Sequence, residues 1–190
     1  TPQATLDTWA RRPLDYEPGT RYQYSNTGYV LAGLIVERAS GQPLQQFLEQ
    51  RIFHPLGMTS VIDFDHDPLQ HGMVHGYEAY ALGPPRAAQP SGPGWLFGAG
   101  GLAMTAADLA QWNQSLIRQS VLTRTSYATM VRDTLLADGT ATGYGLGLDV
   151  HTVNRHRQLA HSGEVSGYTA MNAVYPDDGL AITVLTNLMA

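Results

Sequence analysis

Apolar positions recur at helical spacing over the first two thirds of the chain and at strand spacing over the last third. Leu6 and Trp9 share one side of a segment expected to be a short helix over 5–12, stopped by Pro13. Glu17-Pro18-Gly19-Thr20 is turn chemistry. From 27 to 40, Val30, Leu31, Leu34 and Ile35 recur at helical spacing with Gly41 placed to end the element, which is expected to be a buried helix. Pro43 suits a first helical position, and Leu44, Phe47, Leu48 and Ile52 form the next stripe, which stops at His54-Pro55-Leu56-Gly57-Met58. Periodicity fails between 59 and 97. Residues 82–94 gather four prolines and three glycines, the composition of a surface loop, and a short strand is expected over 74–80. Thr105-Ala106-Ala107-Asp108 has the form of a capping box ahead of Leu109, Trp112 and Leu116, and a further short helix is expected near 123–131. After Gly139 the period shortens. Residues 144–150, 158–161, 168–175 and 180–186 read as strands, the last two joined by the turn Pro176-Asp177-Asp178-Gly179. Helices first and an antiparallel sheet last predict an α+β fold in a single domain, with 1–138 mainly helix and loop and 139–190 mainly strand.

Composition narrows the chemistry. At 190 residues the chain can bury a real core, and 43% apolar with 14% charged residues is an ordinary globular balance. A formal charge of -5 gives no electrostatic case for a nucleic-acid partner or an anionic membrane. No apolar run approaches the roughly 18 residues of a membrane span. Cysteine is absent, which excludes disulfides, thiolate catalysis and cysteine zinc sites. All 11 basic residues are arginine, so Schiff-base chemistry, a P-loop lysine and any Ser-x-x-Lys are excluded within these residues.

The stretch with most chemistry is Arg21-Tyr22-Gln23-Tyr24-Ser25-Asn26-Thr27-Gly28-Tyr29. Tyr24 and Asn26, two apart, face the same way in an extended segment, and Asn26 is placed to cap the helix that follows. A phenol and an amide at a helix mouth form either a catalytic ledge or a capped helix with a packed tyrosine. Downstream lie Gly98-Ala99-Gly100-Gly101 and its capped helix, then His161-Ser162-Gly163 and Gly167-Tyr168. In this order the stretches resemble the serine β-lactamase and penicillin-binding-protein superfamily, in particular the branch of class C β-lactamases, D-alanyl-D-alanine carboxypeptidases and related esterases. The resemblance covers nearly the whole chain. It implies an acyl-serine intermediate on a peptide, ester or lactam carbonyl, with no cofactor, a small-molecule or peptide substrate, and a periplasmic or extracellular setting. It casts Tyr24 as general base and Asn26 as the contact to the substrate amide. His161-Ser162-Gly163 becomes the strand motif usually written Lys-Thr-Gly, in which Gly163 keeps the edge clear for substrate backbone. Ser162 either orients substrate or is an ordinary strand serine, and Glu164 either touches substrate or faces water.

Two departures qualify the resemblance. A tyrosine with an ordinary pKa of about 10 needs neighbouring positive charge to act as a base, and a histidine at the first motif position is mostly neutral at pH 7. Tyr24 would then receive a hydrogen bond from His161 rather than a full charge, which weakens the β-lactamase reading. A histidine at this place is similar to what carboxypeptidase-like and esterase-like members of the family carry, and that resemblance favours ester or D-amino-acid peptide hydrolysis. The Ser-x-x-Lys nucleophile motif is also missing. The expectation is therefore a fragment lacking the nucleophile helix, unable to form an acyl adduct by itself and stable only with its missing parts or another copy. A non-catalytic binding module of the same fold is the alternative. Neither metal-like pattern holds: Asp63-Phe64-Asp65-His66-Asp67 opens like a calcium loop but meets Pro68 and Val74 at decisive positions, and His71 with His75 lacks a helix around it.

Overall fold

Helix α2 (Asn26–Ser40) shows how local chemistry places the site, and its first cap is not the expected one. The structure is a computed structural model that describes residues 1–9, 11–66, 73–80, 83–89 and 91–189. Ser25 is extended (φ −145°, ψ 110°), and its hydroxyl accepts the Gly28 N–H at 3.2 Å. Asn26 is already the first helical residue, so the extended backbone that a cap requires falls one position earlier. At the other end Gly41 takes φ 71° and donates its N–H to the Glu37 carbonyl, as the sequence implies.

The expectation that α2 is buried is corrected as well. Val30 and Gly33 are buried, but Leu31 and Ile35 are exposed. The helix packs against α1 (Pro2–Trp9), the segment Leu44–Leu48 and the 3-10 turn Phe97–Ala99. Close approach there depends on glycine: a Cβ on Gly98 would lie 2.5 Å from the Tyr29 carbonyl, and one on Gly33 2.6 Å from the Phe97 ring. Helix α1 begins at Pro2 rather than residue 5 and ends at Trp9, where the Arg12 guanidinium stacks 4.1 Å from the indole centroid.

Helix α3 (Leu44–Leu48) runs through a π turn, Glu49–Phe53, into the short α4 (His54–Leu56), closed by Gly57 at φ 69°. Among the described residues the aperiodic region holds three two-residue strands, β1 (Ile62–Asp63), β2 (Tyr77–Glu78) and β3 (Arg86–Ala87), so the strand expected over 74–80 is shorter. β4 (Leu102–Ala103) pairs with β1. Buried Asp65 accepts the Leu96 and Phe97 N–H groups at 3.0 and 2.8 Å and ties this loop to the 3-10 turn.

Helix α5 (Ala106–Arg118) starts at Thr105, whose hydroxyl accepts the Asp108 N–H. The reciprocal arm of the expected capping box is absent. Asp108 instead accepts the Thr59 and Ser60 N–H groups and the Ser60 hydroxyl, and Ser60 Oγ accepts the Thr105 N–H. Burial opposes ionisation of Asp108, but these bonds outweigh it and hold the carboxyl below its usual range. Helix α6 (Arg124–Met130) follows, capped by Thr123.

The main sheet is antiparallel in the order β5 (Asp149–Val153), β6 (His156–Val165), β7 (Tyr168–Tyr175), β8 (Leu180–Thr186), confirming the α+β expectation. β9 (Leu188–Met189) leaves this sheet to run parallel to β2. Strand β5 starts at Asp149 rather than residue 144, because Gly143 and Gly147 take φ 73° and 85° and turn the chain into a loop first. One face of the sheet carries Leu159 and Val174 against Leu116, Tyr127 and Val131 of the helical part. On that face buried Asn113 of α5 exchanges two 2.8 Å bonds with Asn172 of β7, and Thr183 of β8 joins the pair. The other face leaves Met171, Leu180, Ile182 and Val184 about half exposed.

Candidate active site

Strand β6 outruns its neighbour. β5 pairs with β6 only from His156 to Ala160, so from His161 to Val165 the backbone is paired to β7 on one side and, among the described residues, open on the other. An open edge offers N–H and C=O groups to an extended ligand. Gly163 lies in this stretch. A Cβ there would meet nothing nearer than the Ala170 Cβ at 3.6 Å, an ordinary contact, so packing within the chain does not demand glycine.

The turn before α2 delivers Tyr24 to this edge. Its ring centroid is 5.9 Å from that of His161, and both lie beside Tyr144, at 6.2 and 6.0 Å. Tyr22 also packs on Tyr144, with ring centroids 5.4 Å apart and the planes tilted by 34°. The expected hydrogen bond from His161 to Tyr24 is not made. His161 Nδ1 faces the Ser162 carbonyl at 2.5 Å and Nε2 faces the Tyr144 hydroxyl at 3.0 Å, so both nitrogens are taken. Partial burial, then Tyr29 and Asp149, push the Tyr24 phenol above its ordinary value, and no guanidinium offsets them. Tyr24 is therefore a protonated phenol at neutral pH.

The other expected residues divide by position. Asn26 is exposed on the first turn of α2, next to Tyr24 in the chain. Along β6 successive side chains alternate, so His161 and Gly163 share the face that α5 covers, while Ser162 and Glu164 project to the opposite, exposed face. Tyr144 was missed by sequence reading because residues 144–150 have strand composition. Its signal is the run Gly143-Tyr144-Gly145-Leu146-Gly147, an aromatic residue carried on a loop of alternate glycines. Among the described residues no cluster of three or more His, Asp or Glu side chains is placed to hold a metal. Asp67, Pro68 and His71 lie outside the described residues, and Asp63 is paired with His66 at 2.7 Å. Among the described residues no helix is long and apolar enough to cross a membrane.

This arrangement can be compared with known proteins. The family model described as Beta-lactamase matches residues 2–190. A putative D-alanyl-D-alanine carboxypeptidase of Escherichia coli (strain K12) is 45% identical over 58 residues, 30% of this chain and 13% of that protein. Penicillin-binding protein 4* of Bacillus subtilis (strain 168) is 28% identical over 185 residues, 90% of this chain and 41% of that protein. Among solved structures, the octameric penicillin-binding protein homologue from Pyrococcus abyssi superposes with a TM-score of 0.80 at 27% identity, over 98% of this chain and 44% of that one. The chain thus spans less than half the length of these relatives. A family match over nearly every residue, the shared α+β architecture and the meeting of the tyrosine turn with the histidine strand agree. The chain belongs to the beta-lactamase family, within the serine β-lactamase and penicillin-binding-protein superfamily.

Proposed function

We propose that this chain supplies the tyrosine and strand-edge side of a hydrolytic site that passes the acyl group of a peptide or ester to water through an acyl-serine. Carboxypeptidase or esterase action is favoured over β-lactamase action. The observation that carries the reading is the approach of Tyr24 to His161 beside an open strand edge. The edge at Gly163 receives the substrate backbone, Asn26 contacts its amide, and His161 with Tyr144 walls the groove. The serine is supplied from outside these 190 residues, since the sequence has no lysine and hence no Ser-x-x-Lys. With its pKa raised, Tyr24 serves as a proton donor to the departing group, and it becomes a base only when a cation stands beside it. The names of relatives that act on D-alanyl-D-alanine make a D-configured peptide terminus the first substrate to try. A periplasmic or extracellular setting goes with that substrate.

The test is Tyr24→Phe in the intact protein, assayed on a D-alanyl-D-alanine peptide and an activated ester. Loss of a positioned proton-transfer group predicts a fall in kcat/KM of about 10²-fold or more. Unchanged turnover of both substrates would remove Tyr24 from the chemistry.

The raised pKa and the lack of a cation at Tyr24 favour one second reading, a groove that binds without turnover. Calorimetric binding of the same peptide with no product after prolonged incubation is the outcome that selects it. For partners we propose a second copy. The half-exposed Met171, Leu180, Ile182 and Val184 on one sheet face are apolar surface that association would cover. Light scattering of the 190-residue chain should show mass rising with concentration, and a constant monomer mass would count against this.

A further inference from the structure

Tyr144 stands at the centre of the aromatic group, yet the proposed reaction gives it no step. Its placement is built with care from the backbone. Asp133 Oδ1 accepts the N–H groups of Thr142 and Gly143 at 3.1 and 2.8 Å and the Thr142 hydroxyl at 3.3 Å. Tyr144 donates its own N–H to Thr142 Oγ1 at 3.2 Å, and its carbonyl accepts the Thr134 N–H at 2.9 Å. Beside it, a Cβ on Gly145 would lie 2.3 Å from the Met130 carbonyl, so the loop fits there only as glycine. The side chain thus meets His161 from a fastened loop.

The contact has a definite polarity. A carbonyl oxygen only accepts, so His161 Nδ1, 2.5 Å from the Ser162 carbonyl, carries the hydrogen. In a neutral imidazole Nε2 is then bare, and the Tyr144 hydroxyl at 3.0 Å donates to it. Tyr144 is suited to be a permanent donor. Burial first, then Tyr29, Tyr24 and Tyr22, holds its phenol far above the ordinary value, so it keeps its proton wherever the fold is stable.

We propose that Tyr144 is a positioning residue for His161: its hydroxyl donates to Nε2 and, together with the Ser162 carbonyl at Nδ1, holds the imidazole in the Nδ1–H tautomer with its ring beside Tyr24. This rests on the reading of Tyr24 and His161 as the site. It assigns His161 the role of a fixed wall and hydrogen-bond acceptor whose Nε2 a substrate group can reach only by displacing Tyr144.

The experiment is long-range proton–nitrogen NMR of the intact protein labelled with ¹⁵N-histidine, with the His161 signals assigned by His161→Gln. The wild type should show a protonated-type Nδ1 and a bare, hydrogen-bonded Nε2. In Tyr144→Phe, which keeps the ring against Tyr22 and Tyr24, the Nε2 signal should move to that of a bare nitrogen without a hydrogen bond, while the Ser162 carbonyl still holds the hydrogen on Nδ1. Hydrolysis by that variant should lose kcat by about 10-fold with KM changed by less than about 2-fold, the pattern of a lost alignment. An Nε2–H tautomer in the wild type overturns the proposal without any variant. So do His161 signals that stay in place in Tyr144→Phe, or a kcat that does not fall while Tyr24→Phe abolishes turnover. If Tyr24→Phe leaves hydrolysis intact while Tyr144→Phe moves the His161 signals, the site reading fails and the Tyr144 contact stands.

Discussion

At the scale of single residues, the tyrosines give the protein a distinctive response to alkali. Tyr22, Tyr24 and Tyr144 are all pushed upward, each by burial first and then by neighbouring phenols or Asp149. An unfolded tyrosine releases its proton near about pH 10, whereas the folded chain holds these protons to higher pH. Below that value both states are protonated and the tyrosines do not bias folding. Above it the unfolded state binds fewer protons than the folded one, so stability falls as pH rises. The urea midpoint should be level between about pH 8 and 9 and decline from about pH 10, less steeply in Tyr144→Phe. A midpoint level to about pH 11 would mean that these phenols are not held as described. The meeting of Tyr24 and His161 was legible in the sequence because each sits in a short motif with a chemical reason for its residue types. Their hydrogen bonding was not, because the partner that captures His161 Nε2 sits in a loop whose composition imitates a strand.

Among the elements, boundaries were read well where a side chain or a glycine ends a helix, and less well where a distant group completes the cap. Gly41, Gly57, Thr105 and Thr123 act locally, and their roles follow from the sequence. The second arm of the α5 cap comes from Ser60, far away in the chain, which no local pattern announces. Helix α2 is the sharpest case, since Ser25 and Asn26 are both good capping residues and only the backbone decides between them. Ser25→Ala should cost about 1 kcal/mol in chemical unfolding, the usual loss for a hydroxyl cap. Asn26→Ala should cost a small fraction of that, and under the proposed function it should still impair turnover in the intact protein. Equal losses of stability for the two variants would return the cap to Asn26.

For the whole molecule, the α+β order and three of the four main strands were visible as a change of period, but the way the helical part joins the sheet was not. That junction is polar at its centre. Asn113, 1% exposed, reaches from α5 to Asn172 and Thr183, and a polar residue inside an amphipathic helix gives no sign of which strand it will meet. Asn172 lies directly across from His161 in the β6–β7 register, so the same junction that holds the helix on the sheet also sets the strand that carries His161. Asn113→Ala leaves the partly buried Asn172 amide without its acceptor, and the expected loss is about 1–3 kcal/mol. Removing both partners leaves no stranded amide. Asn113→Ala with Asn172→Ala should therefore cost less than the sum of the single losses, by about 0.5 kcal/mol or more in a double-mutant cycle. If the losses simply add, the two side chains are independent, and the fastening of the His161 strand must then be sought in the apolar contacts of Leu159 and Val174 alone.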